Sequence, residues 1–141
     1  MPSYDTNNIF AKILRGELPS HKVYEDNETF AFLDIMPRCP GHTLVIPKTP
    51  ARNILDASPA QLTACLKTVQ RIAAATMKAF GASGITLHQF NEPSGGQVVF
   101  HLHFHVMPRS EGASLAPPAN KVEKPDVLAA NAEKIRKALA A

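Results

Sequence analysis

Residues 98–107 read VVFHLHFHVM, and three of the chain's six histidines fall in this one run. In an extended strand successive side chains point to opposite faces. Val98, Phe100, Leu102, Phe104 and Val106 therefore share one face, and Val99, His101, His103, His105 and Met107 share the other. The first is an ordinary core face. The second sets three imidazoles in a row, spaced by roughly 6.5–7 Å per two-residue step. A lone histidine in a strand reads as a solvated or packed side chain. Three in strict alternation against an apolar stripe leave two chemical readings beside that one. The first is a metal site, in which two histidines at i and i+2 bind zinc with a third ligand from elsewhere. The second is nucleophilic catalysis, because an imidazole is largely unprotonated at neutral pH and its neighbours can fix its tautomer and donate to phosphate oxygens.

Working outward, residues 91–97 (NEPSGGQ) form a Gly-rich loop just before the histidine row. Glycine allows close backbone approach, and the N–H groups of Ser94-Gly95-Gly96-Gln97 are suited to an anion-binding nest. Gly84 to Phe90 reads as another strand. Before it lies the clearest helix, with Ser58 as N-cap, Pro59 at the first helical position, Gln61 at the capping-box position and Gly81 as C-cap. Leu62, Cys65, Leu66, Val69, Ile72, Ala73, Thr76 and Phe80 recur along it at three- and four-residue steps, giving one apolar stripe. That stripe suits either packing within the chain or a dimer contact. Nearer the start, residues 7–15 make a short helix closed by Gly16. Strands at 21–26 and 28–35 turn around Asp26-Asn27, and HTLVI (42–46) forms a further strand before Pro47. About five strands in a meander, with one long helix between the third and fourth, give an α+β fold with a mostly antiparallel sheet. After Arg109 the composition changes. Pro117, Pro118 and Pro125 mark an extended arm, and 126–141 resumes as an Ala-rich helix with Leu128, Ile135 and Leu139 on one side. The division expected is a domain at 1–109 followed by an arm and helix at 110–141. This tail has three open roles: wrapping a partner subunit, closing over the site, or lying on the surface.

The 141 residues fit one compact domain, with hydrophobic residues at 45% and charged residues at 19%. The net charge of +3 is interspersed. It suits a small anionic substrate and lacks the basic stripe of a nucleic-acid binder. Cys39 and Cys65 form no CxxC pair, and neither a signal sequence nor a run of about 18 apolar residues is seen, so a cytoplasmic protein off the membrane is expected.

The stretch GGQVVFHLHFHVMPR (95–109) resembles the signature of the histidine-triad proteins, in which three histidines alternate with apolar residues. NIFAKILRGELPSHKVYEDNETFAFLDIMPRCPGHTLVIPK (8–48) resembles the N-terminal half of that family, in particular its Hint-type branch. The likeness runs from about residue 7 to residue 109. It implies a homodimer that joins its sheets and a site that takes a purine nucleotide, with an AMP or GMP moiety, and releases the group on its α-phosphate. His103, the middle histidine, then matches the nucleophile that forms a covalent nucleotide intermediate. His101 and His105 orient it and contact the phosphate or leaving group, and His42 matches a further active-site histidine. Asp34 matches the carboxylate on the ribose hydroxyls. Ile9, Phe10, Phe32, Leu33 and Ile35 match the pocket around the base. Asn91, Gly96 and Gln97 match residues near the phosphate.

On this resemblance no cofactor is required, although Mg²⁺ can accompany a polyphosphate substrate. Two departures stand out. Val98 replaces a serine common in Hint-type proteins, which bears on how the leaving group is handled. With no cysteine before Cys39, the structural zinc site of some branches is not expected. Two alternatives stay open: a nucleotide sensor or scaffold with little turnover, and a zinc hydrolase built on His101, His103 and His42.

Overall fold

The computed structural model describes residues 1–141. Its elements are α1 (Ile9–Leu14), β1 (Lys22–Glu25), β2 (Thr29–Leu33), β3 (Thr43–Pro47), α2 (Pro59–Phe80), β4 (Gly84–His88), β5 (Phe104–Arg109) and α3 (Pro125–Ala140), with a 3-10 turn at Pro93–Gly95. The capping chemistry of α2 forms as the sequence implies. Ser58 Oγ accepts from Gln61 N–H, Gln61 Oε1 accepts from Ser58 N–H, and left-handed Gly81 donates its N–H to Met77 O.

The five strands form one sheet in the order β1-β2-β3-β5-β4, and every neighbouring pair is antiparallel. The class is α+β as expected, but the sheet is not a simple meander. At 22 residues, α2 spans roughly 33 Å. It carries the chain across one face to the far edge, where β4 lies, and β5 returns to fill the gap beside β3. The ladder of β5 is also shorter at its start than the sequence suggested. It begins at Phe104: the β3 register would set Ile46 and Pro47 opposite His103 and Leu102, but the backbone there turns away from the ladder. Leu102 N–H instead donates to Ala51 O. The alternation of side chains survives this: Leu102, Phe104 and Val106 stay in the core under the helices.

That core lies between the sheet and α2, with Cys65, Val69 and Ile72 packed over Ala31, Leu33 and Val45. A buried hydrogen bond of 2.7 Å joins Thr29 and Thr68 across the interface. Leu66, expected on the buried stripe, is half exposed. It follows Cys65 by one step of about 100°, which turns it off the face carried by Cys65, Val69, Ile72 and Thr76. The stripe therefore packs within the chain. α3 joins the same core through Leu128, Ala132 and Ile135, so the C-terminal helix is not a loose surface helix. Cys65 is fully buried and Cys39 partly so. Both are free thiols, pushed up by burial to about 12 and about 11. No helix is long and apolar enough to cross a membrane.

The opposite face of the sheet is covered only in part. Phe10 from α1 packs on Phe30, Phe32, Leu44 and Ile46. With only six residues, α1 cannot span the sheet, and the uncovered remainder is the floor of a cavity. The C-terminal arm forms part of its rim. Ala116 N–H donates to Arg38 O, Arg38 Nε donates to Ala116 O at 2.8 Å, and Glu123 N–H donates to Ile35 O.

Candidate active site

The cavity has a volume of about 530 Å³. Ile9, Phe10, Phe32, Asp34 and Ile35 line it, as do His42, His103, His105 and Gly96. Leu33 reaches it through its backbone, since its side chain packs under α2. A file of rings crosses the site. Phe10 meets Phe32 at 5.3 Å and His103 at 4.9 Å. His103 meets His105 at 5.1 Å, His105 meets Phe90 at 5.5 Å, and Phe90 meets His88 at 5.5 Å. The file runs from an apolar end under α1 to a polar end at His88 and Arg38.

The hydrogen-bond network assigns a tautomer to each histidine. His101 Nε2–H donates to Pro47 O at 2.8 Å, which leaves Nδ1 to accept from the Tyr4 hydroxyl at 2.6 Å. His103 Nδ1–H donates to His101 O at 2.7 Å, so His103 Nε2 keeps a free lone pair. On the other side Arg38 N–H donates to His42 Nδ1 at 3.1 Å. His42 Nε2–H then donates to His105 Nδ1 at 2.9 Å, and His105 is left with an Nε2–H. The cavity wall therefore carries a nucleophilic nitrogen beside a hydrogen-bond donor.

Burial keeps these rings neutral. It lowers His42 and His101 to about 4, and it lowers His105 to about 2 with help from the neighbouring histidines and Arg38. His103 is lowered by burial as well. Burial raises the Asp34 carboxyl, against one hydrogen bond from Met36 N–H, and its Oδ2 lies 3.7 Å from His42 Nε2.

Three of the expected site residues do not line the cavity. His101 is fully buried with both ring nitrogens engaged, so it acts on His103 only through its carbonyl. The same engagement means that His101, His103 and His42 do not assemble as zinc ligands. Asn91 accepts from Ile54 N–H and is paired with Gln89. Gln97 is buried. It donates to Arg52 O and Val99 O and accepts from Asn53 Nδ2 and Glu92 N–H, so it ties the loop together. The proposed nest is not formed either. Gly95, Gly96 and Gln97 spend their N–H groups on Glu92 O and Pro93 O within the turn. Val98 and Val99, both on the cavity wall, are the next residues with N–H groups lacking a partner.

Sequence reasoning missed the brace behind this loop. Glu92 has φ +65 and ψ 161, a conformation that costs a non-glycine residue about 1–3 kcal/mol. It is held by Arg52 through two bonds of 2.7 and 3.1 Å and by Asn53 at 2.6 Å. The guanidinium keeps the Glu92 carboxyl below its usual range. Tyr4, Arg38, His88 and the arm residues Pro118 and Ala119 were also missed. Of these only Arg38 carries a sequence signal, as a cation in the segment that joins Asp34 to His42.

Asp34, His42 and His105 offer ligand atoms that lie within 4.8 Å of one another. A cation there would have to replace the 2.9 Å His42–His105 hydrogen bond and would sit near the Arg38 guanidinium.

A small antiparallel sheet with helices on one face and a file of histidines on the other defines a compact α+β protein of histidine-triad type. The HIT domain model matches residues 15–112, and the chain belongs to that family. A HIT-like protein from Bartonella henselae, described as involved in cell-cycle regulation, superposes with a TM-score of 0.93 at 55% identity, covering 97% of this chain and 99% of that one. A hypothetical histidine-triad nucleotide-binding protein from Sulfolobus tokodaii superposes with a TM-score of 0.84 at 34% identity, covering 93% and 91%. Among curated proteins, an adenylylsulfatase from Arabidopsis thaliana is 39% identical over 103 residues, which are 73% of this chain and 52% of that protein.

Proposed function

We propose that this protein hydrolyses nucleoside 5′-monophosphate derivatives, through a covalent intermediate on His103. The observation that carries this reading is the pair of opposite tautomers: the bare Nε2 of His103 beside the Nε2–H of His105 on one cavity wall. A purine base fits the apolar end at Ile9, Phe10, Phe32 and Ile35, with the ribose hydroxyls on Asp34. His103 Nε2 attacks the α-phosphorus, and the bond to the leaving group breaks with its electron pair on that group. His105 Nε2–H and the free N–H groups of Val98 and Val99 are placed to donate to phosphoryl oxygens. With valine at position 98, the backbone takes the place of a hydroxyl donor. A leaving group that needs a proton takes it from solvent at the cavity mouth, while His105 Nε2–H hydrogen-bonds the departing atom. Water then cleaves the phosphorus–nitrogen bond and releases the nucleoside monophosphate. No step requires a metal ion, although a polyphosphate substrate can carry Mg²⁺. The relatedness to an adenylylsulfatase and to a nucleotide-binding protein supports the same substrate class.

The test is hydrolysis of an adenosine 5′-phosphoramidate and of adenosine 5′-phosphosulfate by wild type and His103→Ala, each in excess EDTA. Wild-type turnover should persist in EDTA, and the variant should lose roughly 10³-fold or more. Loss of wild-type turnover in EDTA would favour a metal hydrolase. Binding of AMP without turnover of either compound would favour a sensor.

We infer further that two copies pair through β4. That strand has no neighbour on its outer side, and its Leu87 is half exposed.

A further inference from the structure

Arg38 and His88 have no part in the reaction proposed above, yet both line the same cavity. Arg38 is half-buried, and no carboxylate lies within 4.0 Å of its guanidinium. Its Nε–H is used on Ala116 O, and Nη1 donates toward His88 Nδ1 at 3.4 Å. A guanidinium has five donors, so most of this fork stays available. Because His88 accepts at Nδ1, its proton is on Nε2, and it too can donate.

A half-buried cation with no counter-charge is costly unless something anionic completes it. Its charge is felt across the cavity, where Arg38 is one cause of the depressed basicity of both His42 and His105. The nearest carboxylate in the chain segment, Asp34, is turned toward Met36 N–H and His42 instead. Along the ring file His105 and Phe90 stand between His103 and His88. The group held by Arg38 is thus not the phosphate that His103 attacks.

We propose that Arg38 and His88 form a second anion subsite, which holds a phosphate or sulfate group of the nucleotide other than the α-phosphate. This rests on the reading of the cavity as a nucleotide site, and it names the ligand class: a nucleotide with two anionic groups. The second group comes either from the 5′ side, as the leaving group, or from the ribose, as a 3′-phosphate. The recognition chemistry is the same, a guanidinium fork and an imidazole N–H on a tetrahedral oxyanion.

Binding by the His103→Ala protein tests this without turnover. Affinities are measured by calorimetry for AMP, ADP, adenosine 5′-phosphosulfate and adenosine 3′,5′-bisphosphate. At least one two-anion ligand should bind about tenfold or more tightly than AMP. A gain for ADP or the phosphosulfate assigns the subsite to the leaving group, with those two ligands separating phosphate from sulfate. A gain for the bisphosphate assigns it to the ribose side. Adding Arg38→Gln or His88→Ala should remove the gain while AMP affinity changes little, and Arg38→Lys should keep part of it. Since Arg38 also holds the arm, His88→Ala decides the matter if Arg38→Gln unfolds the rim. Equal affinity for AMP and all three other ligands would overturn the subsite alone, as would a gain left undiminished in folded His88→Ala. Failure of every nucleotide, AMP included, to bind would overturn the nucleotide reading as well.

Discussion

His101, His103 and His105 are chemically identical side chains two residues apart, and the fold gives each a different role. His101 is a buried brace with both nitrogens satisfied, His103 presents a lone pair, and His105 presents a donor. The spacing placed them on one face and lets the His101 carbonyl set His103, but the roles of His101 and His105 come from Tyr4, Pro47 and, through His42, Arg38, which no local pattern links to them. Burial holds His103 below the usual imidazole value, so its nucleophilic form persists under mildly acidic conditions. The acid limb of kcat/KM should therefore fall below pH 6.5. A limb at or above that value would point away from His103. Stability should follow the same shifts. The unfolded chain protonates its histidines near pH 6.5, whereas folded His101 and His42 resist until about 4. The unfolded state then binds more protons, so stability is full above about pH 6.5 and falls as pH drops toward 4. His101 alone contributes about 3 kcal/mol of this loss. Urea melts at pH 7 and pH 5 should show a clear fall in midpoint.

At the scale of elements, what was legible depended on range. The long helix with its caps and the β1–β2 hairpin follow from signals within a few residues: Ser58, Gln61 and Gly81 for one, and Asp26-Asn27 for the other. The insertion of β5 between β3 and β4 and the late start of its ladder depend on distant segments, such as Ala51, whose carbonyl takes the Leu102 N–H. That is a tertiary fact. The Gly-rich loop was legible as a tight turn but not in its use, because its amides close on Glu92 O and Pro93 O. One link between elements sets the turn before His42. Gly41 has φ +86, and a Cβ there would lie 2.5 Å from the Phe80 ring at the end of α2. Gly41→Ala should cost about 1–3 kcal/mol in backbone strain and contact. Because His42 is the next residue, it should lower kcat more than it raises KM. Steady-state kinetics beside a thermal melt would separate the two effects. Unchanged kcat in a folded variant would show that the turn does not position His42.

At the scale of the whole molecule, the two sheet edges are treated differently. Arg136 of α3 donates to Lys22 O at 2.6 Å on the β1 edge, whereas the outer side of β4 is open. A dimer through β4 should sediment as twice the 15.3 kDa chain. Leu87→Lys should shift it toward monomer without unfolding it, and a wild-type monomer at micromolar concentration would remove the pairing. The C-terminal helix packs on the same core as the sheet, through Leu128, Ala132 and Ile135. Composition could not show this, because a helix rich in alanine buries its few large residues only against a surface made elsewhere in the chain. That surface is distant in sequence. Arg136 reaches Lys22 across 114 positions, and Tyr4 reaches His101 across 97. Closures of this length slow the search for the native state. A chain still leaving the ribosome has β1 and β2 but no α3, and it has Tyr4 but for most of synthesis no His101 to hold. The cavity is thus complete only once residues 101–119 have been made, and a chain cut before α3 exposes the apolar face that Leu128, Ala132 and Ile135 cover.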